Sequence, residues 1–130
     1  MRTFKLYIFC LLPLMSFSLR DKAKSNGETI YTTGKNQQGE KLLNKAVSRI
    51  KIVRSCKDCH GKNGDKIEGA SIRFKDLSDP SKHLVPYNDS LFFRFLDDDL
   101  FSDGTKANIG VIWKMTAKDK KDLLDYLKSL

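Results

Sequence analysis

Apolar residues recur at helical spacing in three stretches. Leu42, Leu43, Ala46, Val47, Ile50 and Val53 stand at steps of one, three, one, three and three. That spacing predicts a helix over 40–54, running out at or just into Cys56. Ser48 to Ile52 also alternates as a strand would, but the longer helical period outweighs it. Leu91, Phe92, Phe95 and Leu96 share one face behind the capping run Asn88-Asp89-Ser90, which predicts a helix over 89–96. Asp97-Asp98-Asp99 would oppose the dipole at the end of that helix, so they are assigned to a following turn. Leu123, Leu124, Leu127 and Leu130 repeat at helical spacing after Thr116-Ala117-Lys118-Asp119, a capping-box start with Asp for the usual Glu. They predict a closing helix over 117–129.

The stretches between read as loops. Residues 19–38 are polar and read as a loose arm or surface loop, with a weak strand signal from Thr29 to Thr33. Residues 61–87 carry Gly61, Gly64, Gly69, Pro80 and Pro86, leaving room for about one helical turn. A structureless loop of that length is unusual in a small domain unless it wraps something. Asp103-Gly104 marks a turn, and residues 105–114 form a second loop ending in Val111-Ile112-Trp113. No internal repeat is visible. The expected fold class is all-α with long loops.

The first eighteen residues stand apart. Arg2 and Lys5 precede an apolar run from Leu6 to Phe17, and Ser16 and Ser18 supply small residues where a signal peptidase reads. This is the secretory pattern, too short for a membrane helix. The expected division is a signal peptide at 1–18, the polar arm at 19–38 and one domain at 39–130. Cleavage removes Arg2, Lys5 and Cys10 and lowers the net charge from +8 to +6. Cys10 could instead become a lipid-anchored terminus, although Phe9 precedes it where a small residue is preferred. The periplasm is the expected location, with membrane attachment only through such an anchor.

Composition narrows the chemistry further. The chain has 130 residues, 31% of them charged and 40% hydrophobic, which suits one globular domain. Three cysteines are too few for a disulfide scaffold and two histidines too few for a multi-histidine metal cage. The excess of 24 Lys and Arg over 16 Asp and Glu does not by itself indicate nucleic acid, and an exported protein of this kind is not expected to bind it.

Residues 56–60 read Cys56-Lys57-Asp58-Cys59-His60. Two thiols about one helical turn apart can add to the two vinyl groups on one porphyrin edge, and the next residue then brings its imidazole under the iron. This is the C-x-x-C-H pattern of c-type haem attachment. Other readings fit less well. Zinc takes three or four protein ligands, and beyond the motif the mature chain offers His83 and carboxylates alone. A thioredoxin-like pair would sit in an alternating strand and helix pattern, which is not visible. A structural Cys56–Cys59 disulfide is the remaining reading. A covalently held macrocycle also gives the long loops something to cover and adds apolar surface to a thin core.

From about residue 40 to 130 the chain resembles the class I c-type cytochrome domain. The resemblance rests on a helix over 40–54, Cys56 to His60 followed by Gly61, a helix over 89–96, Met115, and a closing helix over 117–129. It implies a small helical fold with loops wrapped around one covalent haem c. Cys56 and Cys59 would be the covalent attachment points, His60 the proximal iron ligand and Met115 the distal one. Met115 is the methionine that remains after cleavage; His83 is its rival in a proline-flanked loop. Three departures stand out. Ile52 occupies a position where many members carry an aromatic, Gly69-Ala70-Ser71 lacks the proline that often orients the histidine, and the arm at 19–38 has no counterpart.

The resemblance implies a carrier of single electrons rather than an enzyme. Its partners would be redox proteins with acidic docking surfaces, together with the haem-attachment machinery. The alternatives are a haem c subunit of a larger oxidoreductase, docked through the arm, and a haem-based ligand sensor with a labile distal site. Trp113 could line a haem crevice or fill the core. Tyr126 is expected to pack the closing helix on the first, and Arg73 to be an exposed loop residue or a propionate partner.

Overall fold

The computed structural model describes residues 23–130, so the expected signal peptide and Cys10 lie outside the described residues. Among the described residues five helices follow one another: α1 Asn26–Thr33, α2 Cys56–His60, α3 Phe74–Leu77, α4 Asp89–Asp98 and α5 Ala117–Lys128. Three isolated antiparallel bridges, Lys35 with Lys41, Leu43 with Trp113 and Leu100 with Lys106, stitch the loops between them. The architecture is mostly helical, in line with the all-α expectation. No helix among the described residues is long and apolar enough to cross a membrane.

α1 corrects the reading of residues 19–38. Where a loose arm with a weak strand at 29–33 was expected, Asn26–Thr33 is helical and central to the core. The Ser25 hydroxyl accepts from the Glu28 amide and the Gly34 amide closes the helix on Ile30. Thr29, Thr32 and Thr33, poor helix formers, turn their hydroxyls back onto carbonyls four residues earlier. Ile30 and Tyr31 are 0% exposed. The domain frame therefore starts before residue 39.

The second correction concerns 40–54, which is not a helix. Of its apolar stripe, Leu42 is buried and Leu43 leans on the core, while Val47 is 60% exposed and Ile50 40%. A periodic stripe that meets water on half its positions cannot drive helix formation through burial. The backbone bonds elsewhere instead: the Asn44 amide donates to Ile112, and those of Arg49 and Ile50 to Gly110.

The remaining elements follow their sequence signals closely. In α5 the predicted capping box forms between Thr116 and Asp119. Leu123, Leu124 and Leu127 are essentially buried, each stabilising the fold by about 1.5–3 kcal/mol. α4 starts where Asn88 accepts from the Leu91 amide, and buries Phe92 and Leu96. It runs past the expected end, taking in Asp97 and Asp98. The dipole penalty there is offset by Lys120, which pairs with Asp97. Asp99 ends the helix with φ 55° and accepts from the Ile109 and Gly110 amides. The single helical turn expected within 61–87 is α3.

α1 lies against both α5 and α2, and α3 against α5. At the crossing of α1 and α5 a Cβ on Gly27 would strike the Asp122 carbonyl and the Tyr126 side chain. Glycine is the residue that permits this approach. The Tyr31 and Tyr126 rings meet one helical turn on, centroids 5.3 Å apart and tilted by 50°. Asn26 donates to both Asp119 and Asp122, which pins the start of α1 to α5. Tyr126 thus packs the closing helix on the first, as expected, but the first helix is 26–33. Trp113, 8% exposed, belongs to the core cluster.

Candidate haem-attachment site

α2 is one turn long and places Cys56, Cys59 and His60 together. Its geometry is set by the residues before it. Ser55 is buried, and the Asp58 carboxylate accepts from the Arg54 amide at 2.9 Å and the Ser55 amide at 3.1 Å. Those amides would otherwise be orphaned at the helix start. The Arg54 amide, and Ser55 with it, holds the Asp58 carboxyl below the usual carboxylate range.

The two cysteines stand as free thiols, Cys56 half-buried and Cys59 exposed. Burial, more than the nearby acids, pushes the Cys56 thiol up to about 12. The neutral thiol is therefore its form at physiological pH.

His60 is half-buried and its Nδ1 is fully buried without a hydrogen-bond partner. A buried, unpaired ring nitrogen costs about 1–3 kcal/mol and calls for an explanation. Burial lowers the His60 pKa, and the Ala70 backbone beside the ring opposes that shift without reversing it. The imidazole is thus neutral near pH 7, the form in which histidine ligates metal. The Ala70 backbone lies beside the ring, and Nδ1 has no hydrogen-bond partner in this structure.

The turn after His60 is braced from two sides. The Lys66 amide donates to the His60 carbonyl at 3.1 Å, and the Tyr31 hydroxyl to that of Gly61 at 2.6 Å. Tyr31 is a site-supporting residue that the sequence reading passed over, because it lay inside a stretch assigned to the arm.

Met115 lies on a different element, in the loop that leads to the Thr116 cap of α5. It is half-buried, and it and Cys56 lean on the same core cluster from different parts of the chain. The structure thus brings together Cys56, Cys59 and His60 on one turn, and of these Cys56 alone shares the core cluster with Met115. His83 packs edge-on against Tyr87, centroids 5.4 Å apart. It lines an open cavity of about 560 Å³ with Asp65, Arg73, Asp76 and Lys82, and neither motif cysteine lines it. Arg73 is neither exposed nor free: it pairs with Asp65 at 3.0 Å and with Asp76 at 2.7 Å.

The donor set fits a c-type haem. Two unpaired thiols a turn apart, a neutral imidazole and a half-buried thioether are the side chains such a group needs. Among the described residues, no three His, Cys, Asp or Glu side chains are grouped to hold a metal ion by themselves. No protein-family model matches the chain, and neither the curated proteins nor the solved structures yield a match.

Proposed function

We propose that the chain is a monohaem c-type cytochrome that carries single electrons. The observation that carries this reading is the single turn α2. It sets two free thiols about one helical turn apart and follows them directly with a neutral, partly buried imidazole. The order of elements supports it: a first helix, the motif, a short helix, a methionine and a last helix packed on the first, with α1 in the role expected of 40–54.

Cys56 and Cys59 would hold the haem by thioether bonds, each thiol adding its sulfur and its hydrogen across a vinyl group. The haem iron supplies a one-electron couple, whose potential a methionine ligand raises. The remaining work falls to the chain. Asp58 and Ser55 fix the pitch of the turn. Burial keeps the His60 lone pair available. The Tyr31–Gly61 bond keeps the following loop from carrying His60 away. His60 and Met115 would both hold the iron, and a chain that supplies both ligands would suit electron transfer better than substrate chemistry. Export to the periplasm and acidic protein partners complete the proposal; the basic surface would speed such encounters at low salt.

The test is the intact mass and absorption spectrum of the full chain, co-expressed with haem-attachment machinery. One covalent haem and a Soret band are expected, and both should be lost in a Cys56→Ala, Cys59→Ala double variant. An exported chain that weighs no more than its amino acids, without a Soret band, overturns the proposal. Ready binding of carbon monoxide by the unaltered protein would favour a sensor, and co-purification with a larger enzyme a subunit.

A further inference from the structure

We propose that Ser48 is a positioning residue for Met115, acting through the loop that carries the methionine. The inference rests on the reading of Met115 as distal ligand. Residues 108–114 belong to no helix, and their backbone groups find partners in two flanking segments. On one side the Asp99 carboxylate accepts from the Ile109 and Gly110 amides. On the other lies the excursion between α1 and α2. The Arg49 and Ile50 amides donate to Gly110, the Arg49 guanidinium to Asn108, and the Lys114 amide to Leu42.

Ser48 sits at the middle of this lacing and is 3% exposed. Its Oγ accepts from the Ile112 amide at 2.9 Å and donates to the Ile112 carbonyl at 3.2 Å. One hydroxyl has the donor and the lone pairs to do both. It thereby fixes both polar groups of a single residue, three positions before Met115. The Ile112 carbonyl also receives the Asn44 amide, whereas its amide has Ser48 as partner. Removing the hydroxyl strands a backbone N–H in a half-buried loop.

The consequence follows from preorganisation. A thioether is a neutral donor that competes with any better ligand reaching the iron. It holds its place when the loop needs no ordering to present it. Ser48 supplies that order from outside both the haem motif and the closing helix.

The test uses the haem-loaded ferric protein, with exogenous imidazole as competitor for the distal position. Ser48→Ala is expected to raise the apparent imidazole affinity about tenfold, while Ser48→Thr, which keeps a hydroxyl, stays within about threefold of the parent. Amide hydrogen exchange at Ile112 is expected to be slow in the parent and about tenfold faster in Ser48→Ala. The two readings fail separately. If Met115→Ala changes neither the sulfur-to-iron charge-transfer band nor imidazole binding, the ligand assignment is wrong. If Met115→Ala abolishes the band but Ser48→Ala matches the parent in imidazole affinity and Ile112 exchange, the role of Ser48 is overturned. An Ile112 amide that exchanges freely in the parent overturns it with no variant at all.

Discussion

The Tyr31 hydroxyl donates a 2.6 Å hydrogen bond to the Gly61 carbonyl, joining the buried face of α1 to the residue after His60. Burial above all pushes this phenol up to about 12, so it remains a donor throughout the neutral and mildly alkaline range. Tyr31→Phe keeps the ring contact with Tyr126 and deletes the bond. We expect a loss of about 1–2 kcal/mol in urea unfolding, with the denaturant slope unchanged. A midpoint equal to that of the parent would show the bond to be idle.

Gly27 allows α1 and α5 to cross at close range, with the Asp122 carbonyl directly in the path of any Cβ. Backbone sits on the other side, so no rotamer change relieves the clash. Gly27→Val should cost about 3 kcal/mol or more and loosen the Tyr31–Tyr126 contact. Thermal unfolding followed by far-ultraviolet circular dichroism and tyrosine fluorescence reads both effects.

Asp76 gathers Lys82, Ser71 and Arg73, and the Lys82 ammonium foremost holds its carboxyl far below the usual carboxylate range. A depressed folded-state pKa contributes stability above the unfolded value of about 4 and loses it as pH falls through the folded one. Asp76→Asn should therefore destabilise the protein by about 2 kcal/mol at pH 7. The gap to the parent should be constant from pH 7 to about 5 and narrow below about 4. Stability curves of the two proteins over that range decide it; a gap that widens on acidification would contradict the assignment.

The rival axial ligands separate by substitution. His83 stands against Tyr87 beside a charged cavity, so His83→Ala should leave the visible spectrum of the haem-loaded protein unchanged. Met115→Ala should remove the sulfur-to-iron charge-transfer band and open the iron to carbon monoxide. The opposite pattern would transfer the distal role to His83.

How far the sequence reached depended on whether a local pattern was also a tertiary one. α5 was legible because its leucine stripe and its Thr116–Asp119 box agree, and both are used as they read. The turn α2 was legible because its chemistry is local to five residues. Residues 40–54 misled because a helical stripe was present without a surface to bury it: Val47 and Ile50 face water, and the backbone pairs with 108–114 instead. α1 was missed for the converse reason. Its buried apolar side chains, Ile30 and Tyr31, are adjacent and make no repeat, because the third buried position is Gly27; its threonines and that glycine are poor helix formers. A signal was present in Ser25 followed by Glu28 at capping-box spacing, with Gly34 at the far end. Ser48 carried no mark of its own, since its partner lies sixty-four positions away.

The chain leaves the frame at Gly34 and rejoins it at Arg54, and these two points are in contact: a Cβ on Gly34 would run into the Arg54 carbonyl. A detour whose ends already touch adds little tension to the helices it connects. Closure entropy changes slowly with length, each doubling costing about 0.6 kcal/mol. Added length within 35–53 therefore costs little in closure entropy where the bonds from 42–50 to 108–114 are kept. Any replacement has to fill the space of Leu42, accept from the Lys114 amide, supply the amides that Gly110 and Ile112 receive, and offer a hydroxyl to Ile112.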